Sequence, residues 1–159
     1  MNLKACVITV SDRASQGVYE DRSGPAAVQI LRDAGFDVSA PVVIPDSKEE
    51  IQRSICEAVA GRARLVLTTG GTGVGPRDFT PEATAPLIDR ELTHLMGAIV
   101  AKGLQSTPHA LITRGLAGLT KEGALVVNAP GSTGGVRDAA EVVVTVASHI
   151  LAQVDGEDH

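Results

Sequence analysis

Four glycines fall within six positions, Gly70–Gly75, directly after an apolar run. They are Gly70, Gly71, Gly73 and Gly75. Three hydroxyl side chains lie in the same stretch: Thr68, Thr69 and Thr72. Because glycine lacks a Cβ, such a loop can wrap an anion closely with its backbone N–H groups. A tight turn would explain the glycines alone, but the following Arg77, Asp78 and Thr80 favour a phosphate-binding loop, since a turn does not require them.

Two common nucleotide-binding motifs are excluded by the residues after the glycines. The spacing from Gly70 to Gly75 fits a Walker A loop, but Pro76 and Arg77 stand where Lys and Ser or Thr belong. The dinucleotide motif GxGxxG fails as well, because Pro76 occupies the place of the third glycine. The loop is therefore predicted to bind phosphate in another way, with Arg77 as the arginine that contacts it.

Two further loops follow predicted strands. The first is Ser11–Gly17, and the second is 128–135, which contains Pro130, Gly131 and Ser132. The second leads into a helix, and a helix N-terminus favours anions. Since Pro-Gly after a strand is also a common turn, this loop alone leaves both interpretations open.

Isolated carboxylates at these loops are candidate metal ligands. Asp12 and Asp46 each follow a strand, where an aspartate often serves only a turn or a cap. Alternatively, one or more of these carboxylates bind a hydrated Mg²⁺, which takes one or two carboxylates together with phosphate oxygens. No histidine accompanies a nucleophile motif, so structural roles are predicted for His94, His109 and His149. Surface or salt-bridge roles are predicted for three arginines: Arg13, Arg114 and Arg137.

Strands alternate with helices along the chain. The predicted strands are Leu3–Val10, Phe36–Ile44, Leu65–Thr69, Ala110–Thr113 and Ala124–Val127. Pro41 places the second near an edge of the sheet. Helices are predicted from Ser23 to Ala34, with Ser23 as the cap, and from Thr80-Pro81, with Thr80 as the cap. A capping box at Ser47 predicts another helix. Two more are predicted over Arg90–Leu104 and from about Gly135 onward. Ser11 to Asp21 is expected to be a polar loop.

This alternation predicts a three-layer α/β/α fold with a mainly parallel sheet. The chain of 159 residues is one domain in length, 1–154, followed by a tail, 155–159, that we expect to be frayed. In such sheets, ligands bind beyond the carboxyl ends of the strands, where these loops lie.

Composition excludes several classes of partner. A net charge of −5 argues against nucleic acid, as does the presence of only three aromatic residues. No apolar run is long enough to span a bilayer, so no membrane partner is expected. Cys6 and Cys56 are the only cysteines; we interpret both as core residues of a protein in the reducing cytoplasm.

The combined motifs resemble the MoaB/Mog family of molybdenum-cofactor biosynthesis. The matching segments are Val10–Arg13 with Ser15 and Gly17, Asp21–Gly24, Thr68–Asp78 with Thr80–Glu82, and Pro130-Gly131. The resemblance spans essentially the whole chain. One departure is Ser132-Thr133, where many relatives have Asn-Pro or a similar pair.

The resemblance implies a molybdopterin adenylyltransferase. Such an enzyme transfers AMP from ATP to the terminal phosphate of molybdopterin, requires Mg²⁺ and releases pyrophosphate. Asp46 and Asp78 would then be the catalytic, metal-positioning carboxylates. Thr68–Gly75 would contact the nucleotide phosphates, and Ser11 with the Pro130–Ser132 turn would line the pterin phosphate.

Two other functions remain open at this point. One is a non-catalytic molybdopterin-binding or scaffold protein; the other, more distant, is the related molybdate-insertion domain, which usually sits in longer chains. The family resemblance also implies a homo-oligomer, a trimer or a hexamer, and the molybdate-insertion enzyme as a partner. The apolar residues of the Leu92–Leu104 segment, including Met96, are the predicted subunit interface, although they could instead pack on the sheet.

Overall fold

The computed structural model describes residues 2–157. Its strands are β1 (Lys4–Val10), β2 (Asp37–Val38), β3 (Val42–Ile44), β4 (Leu65–Thr69), β5 (Arg90–Glu91), β6 (Ala117–Leu119) and β7 (Leu125–Ala129). Its α-helices are α1 (Asp12–Ser15), α2 (Ser23–Asp33), α3 (Lys48–Ala60), α4 (Thr80–Thr84), α5 (Thr93–Leu104) and α6 (Thr133–Val154). Two short 3₁₀ helices cover Ala85–Leu87 and Pro108–Ile112.

The strands form one mixed sheet. Its order is β2-β1-β4-β7-β6-β5, and β3 pairs with the other end of β1 on the same side as β2. The pairs of β1 with β2, β3 and β4, and of β4 with β7, are parallel, whereas the pairs of β7 with β6 and of β6 with β5 are antiparallel. The predicted α/β class with a mainly parallel sheet is confirmed.

Helices cover both faces of the sheet. Residues of α2, α5 and α6 pack on one face, and residues of α3 and α4 on the other. The central strand β4 is fully buried, with Leu65, Val66 and Leu67 at 0% exposure. A strand that is buried along its whole length and begins with three aliphatic residues suits a parallel sheet covered on both sides.

Several local predictions are confirmed. The segment containing Pro41 lies at an edge of the sheet as predicted, although it forms two short strands, β2 and β3, because proline cannot donate a ladder hydrogen bond. Ser47 caps α3, since its hydroxyl oxygen accepts a hydrogen bond from the Glu50 N–H.

The predicted strand Ala110–Thr113 is wrong. This segment belongs to the 3₁₀ helix Pro108–Ile112, which begins at a proline and is capped by the Thr107 side chain. The strand of this region is β6, which lies further along the chain. The predicted helix Arg90–Leu104 starts late for a related reason, because Arg90 and Glu91 pair antiparallel with β6 as an edge strand.

Two predicted caps are also wrong. Ser23 and Thr80 are each the first residue of a helix, and their hydroxyls bond elsewhere. The N-terminus of α2 is instead satisfied by Asp21, whose carboxylate accepts from the Gly24 N–H. The predicted loop from Ser11 to Asp21 contains the single turn α1.

Cys6 is partly buried, but Cys56 is exposed. The prediction that Cys56 is a core residue is therefore wrong. In the tail, Asp155 pairs with Arg64 at 2.9 Å, and the last two residues of the tail lie outside the described part. Among residues 2–157, no helix combines the length and apolarity needed to cross a bilayer.

Candidate functional site

The parallel register brings the loops to one edge of the sheet. Thr9 of β1 pairs with Thr69 of β4, and Thr69 pairs with Ala129 of β7. Val10 pairs with Ile44 of β3. The segments that follow these four strands therefore start side by side, as predicted from the order of the elements.

The glycine loop crosses close over the end of β1. Gly70 and Gly71 have φ angles of 102° and 68°, in the region that favours glycine. A Cβ at Gly70 would collide with the Val10 carbonyl oxygen, and a Cβ at Gly71 with the Thr80 hydroxyl. The 128–135 loop packs against the glycine loop, since a Cβ at Gly131 would lie 3.2 Å from the Gly70 Cα.

The centre of the glycine loop has unused hydrogen-bond donors. The backbone N–H groups of Gly71, Thr72, Gly73 and Val74 donate to no acceptor within residues 2–157. At either side, the Gly70 N–H donates to the Ala129 oxygen at 3.1 Å, and the Gly75 N–H to Asp78 Oδ2 at 2.8 Å. Consecutive free N–H groups of this kind can bind an anion.

Both candidate carboxylates lie beside this row of donors. Asp78 closes a tight turn with Gly75, and Asp78 Oδ2 lies 3.0 Å from the position that a Cβ of Gly73 would take. Asp46 Oδ1 lies 3.4 Å from the corresponding position at Gly71. The structure therefore brings the two predicted metal carboxylates to the same loop.

The surroundings of Asp46 disfavour the ionised form of its carboxyl. Burial raises the pKa of its carboxyl above the usual value, and the negative charges of Asp12 and Asp78 raise it further. The Asp12 N–H and the Arg77 charge lower this pKa and offset part of the effect. A cation beside Asp46 would stabilise its ionised form.

Arg77, predicted at a phosphate, bonds to Asp12 in this structure. Its Nε donates to Asp12 Oδ2 at 2.7 Å, and its second nitrogen donates to the Asp46 carbonyl oxygen at 3.1 Å. The hydrogen bond from Arg77 lowers the pKa of the Asp12 carboxyl. Arg77 thus joins the loops after β1, β3 and β4.

Four predicted hydroxyls are used within the fold. Ser11 caps α1 and Ser132 caps α6, each accepting a hydrogen bond from a backbone N–H three residues later. The Thr69 hydroxyl donates to the Pro130 oxygen at 2.7 Å, which connects the glycine loop with the 128–135 loop. The buried Thr68 hydroxyl accepts from the Asn128 amide at 3.0 Å.

A cavity of about 670 Å³ opens next to the glycine loop. The predicted residues on its wall are Gly71, Thr72, Gly73, Asp78, Pro130, Gly131 and Ser132. The rest of the wall is formed by the start of α6, by α5 and by the segment 106–113, which contains the 3₁₀ helix Pro108–Ile112. Its size is within the range of small-molecule sites. Asp46, Ser11, Thr68, Thr69, Gly70 and Gly75 are not among its lining residues.

The residues present are suited to Mg²⁺. Among residues 2–157 no group of three or more His, Cys, Asp or Glu side chains could form a closed metal cage. Mg²⁺ does not need one, because it keeps several waters and uses one or two carboxylates with substrate phosphates. Asp46 Oδ1 and Asp78 Oδ1 accept no hydrogen bond within the described chain, so each has an oxygen available.

Arg114 forms a salt bridge, as predicted for it, but sequence reasoning missed its contact with the glycine loop. Its guanidinium reaches back to the glycine loop, donating from Nε to the Gly73 oxygen at 2.8 Å, and pairs with Glu82. No local signal in the sequence indicated this, because Arg114 follows the 3₁₀ helix and only the fold brings it to the loop.

Comparison with known proteins agrees with this architecture. A family model described as "Probable molybdopterin binding domain" matches residues 6–149. A molybdopterin adenylyltransferase from Pyrococcus furiosus is 39% identical over 150 residues, covering 91% of this chain and 87% of that protein. The crystal structure of a molybdopterin biosynthesis protein from Mycobacterium abscessus superposes with a TM-score of 0.90, at 42% identity and 96% coverage of both chains.

Some relatives are much longer. Gephyrin from Dictyostelium discoideum is 37% identical over 161 residues, which cover 95% of this chain but 22% of that protein. The matched region is therefore less than a quarter of that protein. The matched family model and the shared fold span nearly all of this chain, which belongs to the MoaB/Mog family of molybdenum-cofactor biosynthesis proteins.

Proposed function

We propose that the protein is a molybdopterin adenylyltransferase, which transfers AMP from ATP to the terminal phosphate of molybdopterin and releases pyrophosphate. One observation carries the proposal: the four backbone N–H groups of Gly71–Val74, which have no acceptor in the described part of the chain, lie beside the two carboxylates Asp46 and Asp78. Free donors suit phosphate oxygens, and paired carboxylates suit the cation that accompanies a nucleotide. The name of the Pyrococcus furiosus relative supports the same reaction.

The reaction makes modest demands on acid–base chemistry. The terminal phosphate of molybdopterin is already an anion at neutral pH and needs no general base to become a nucleophile. The protein must align two phosphate groups and stabilise the charge at the α-phosphorus. Free N–H groups and a helix N-terminus provide such stabilisation, and no Ser/His or Cys/His pair is required.

Each part of the site has an assigned role in this proposal. The N–H groups of Gly71–Val74 hold phosphate oxygens of ATP. The turn Pro130–Ser132 and the start of α6 face the pterin phosphate across the cavity. Asp46 and Asp78 would hold Mg²⁺, which would neutralise phosphate charge. Ser11, Thr68 and Thr69 support the loops through the hydrogen bonds described above.

The second candidate is a molybdopterin-binding protein without catalysis. The description of the matched family, which names binding alone, favours it. The cavity beside Pro130–Ser132 would serve such a protein equally well. The two candidates differ at Asp46 and Asp78, because a binding protein does not need a pair of metal carboxylates.

An assay of ATP-dependent adenylylation of purified molybdopterin distinguishes them. The purified protein, Mg-ATP and molybdopterin should yield adenylylated molybdopterin and pyrophosphate, and chelation of Mg²⁺ should stop the reaction. Binding of molybdopterin with no pyrophosphate release would contradict the transferase and support the binding protein.

We further propose that the protein works in the cytoplasm as a homo-oligomer, at least a trimer, and passes its product to a molybdate-insertion enzyme. Cys6 and Cys56 are both free thiols, which suits a reducing compartment. The predicted interface needs revision, because Met96 and Ile99 of α5 are buried in this chain's own core. Exposed apolar side chains close by are Leu104, Leu111 and Ile112.

A further inference from the structure

In the glycine loop, most carbonyl oxygens accept hydrogen bonds from other parts of the described chain, whereas the N–H groups of Gly71–Val74 donate to none of it. Gly70 O accepts from the Thr80 hydroxyl at 2.9 Å, and Gly71 O accepts from the Thr80 N–H at 3.1 Å. Gly75 O accepts from the Asp78 N–H at 3.1 Å. A free peptide segment offers as many acceptors as donors, so this selective pairing leaves the loop a net donor toward the cleft.

Arg114 satisfies the next acceptors. Its backbone N–H donates to Thr72 O at 2.8 Å and its Nε to Gly73 O at 2.8 Å. A further guanidinium nitrogen donates to Asp78 O at 3.0 Å. The planar guanidinium can make such contacts simultaneously, which a lysine cannot. Glu82, in the first turn of α4, pairs with the same guanidinium and fixes its orientation.

Thr80 is itself held from the core. Its carbonyl oxygen accepts from the Thr84 hydroxyl at 2.8 Å, and the Thr84 hydroxyl accepts from the Asn128 amide at 3.1 Å. Thr80, Thr84 and Asn128 are all fully buried. Because buried polar groups that are completely paired are rigid, this series of hydrogen bonds holds Thr80 in a fixed position relative to β7.

We infer that Arg114 and Thr80 are positioning residues that bond the carbonyl oxygens of Gly70–Gly73 and thereby leave the N–H groups of Gly71–Val74 free for phosphate. The consequence for ligand binding rests on the proposed function; the consequence for the conformation of the loop does not. Neither residue needs to touch the substrate for this role. Loss of either residue should let the loop change conformation, so that its own carbonyl oxygens can accept hydrogen bonds from the N–H groups of Gly71–Val74.

Two variants test the inference. Arg114→Met keeps most of the aliphatic stem and removes the guanidinium, and its side chain is partly exposed, so the chain should fold. Thr80→Val keeps the shape of the side chain and removes the hydroxyl, while Thr80→Ser keeps the hydroxyl and removes only the methyl group. The matched control is Arg64→Met, which removes another arginine that pairs with a distant carboxylate, Asp155, away from the loop.

The first measurement is hydrogen exchange of the free protein. The N–H groups of Gly75, Asp78 and Thr80 are bonded within the loop and report its order. We expect Arg114→Met and Thr80→Val to speed their exchange by about tenfold or more, as loss of a hydrogen bond of roughly 1.4 kcal/mol implies. Thr80→Ser and Arg64→Met should exchange like the wild type.

The second measurement is the affinity for Mg-ATP by calorimetry. We expect Arg114→Met and Thr80→Val to weaken it by about tenfold, with recovery in Thr80→Ser. Exchange in both variants equal to that of Arg64→Met would overturn the inference. Faster exchange with unchanged Mg-ATP affinity would also overturn it, because the loop would then not be what binds phosphate. If the wild type binds no Mg-ATP, the proposed function fails, and the exchange measurement still decides whether the two residues order the loop.

Discussion

Asp12 and Asp46 exchange two hydrogen bonds: each backbone N–H donates to the carboxylate of the other, and both distances are 2.9 Å. The pair joins the start of α1 to the end of β3. It occupies Asp46 Oδ2 and leaves Asp46 Oδ1 directed toward the Gly71 side of the glycine loop. Asp12 is thus a support for Asp46, and its second partner, Arg77, compensates part of the negative charge.

Asp78→Asn should abolish adenylyl transfer and leave the fold intact. The amide oxygen of asparagine can still accept from the Gly75 N–H, so the turn should survive. The negative charge for Mg²⁺ is lost, however. The measurement is pyrophosphate release with a thermal melt as the control for folding, and Asp37→Asn, on the short strand β2, is the matched substitution. Wild-type turnover in a folded Asp78→Asn protein would remove Asp78 from the metal site.

Gly73→Ala should weaken ATP binding by about tenfold, or roughly 1.4 kcal/mol. The new Cβ would lie 3.0 Å from Asp78 Oδ2, so the carboxylate or the loop must shift. Gly97→Ala in α5 is the control, because nothing lies within 4 Å of its Cβ position. That control should raise stability by up to about 1 kcal/mol through helix propensity. Calorimetry that finds equal affinities in both variants would mean that Gly73 serves only the turn.

Leu111→Asp should weaken the proposed trimer. Leu111 is 67% exposed on the 3₁₀ helix, so a charge there would disturb a subunit contact but not the core. Light scattering at micromolar concentration should give about three times the monomer mass for the wild type and less for the variant. Val18→Asp, also 67% exposed, is the control. A monomeric wild type would disprove the assembly, and an unaffected variant would place the interface elsewhere.

Glu82→Gln should reduce stability at neutral pH more than at acid pH. The hydrogen bond from Arg114 lowers the pKa of the Glu82 carboxyl below its ordinary value of 4.5. The pairing therefore stabilises the folded state above pH 4.5 and is lost as pH falls through the lowered pKa. Urea midpoints measured between pH 3 and pH 7 should converge for variant and wild type at the acid end. A constant difference across this range would mean that Glu82 ionisation does not contribute.

Local patterns in the sequence were sufficient for most of the scaffold. Aliphatic runs such as Leu65–Thr69 and the Ser47 capping box predicted their elements correctly, because strand burial and helix capping depend on neighbouring residues. The parallel alternation then placed the loops after β1, β4 and β7 at one edge, so the neighbourhood of the candidate site followed from chain order.

Tertiary structure alone decided which polar groups remain available. The hydroxyls of Thr80 and Thr68 are used inside the fold, and Arg114 bonds to a loop about forty residues earlier. Likewise, Ala110–Thr113 has the composition of a strand, but the sheet accepts Ala117–Leu119 instead. Residue type and spacing determine what a side chain can donate or accept, whereas the partner that takes each donor depends on contacts between segments distant in sequence, which no local pattern encodes.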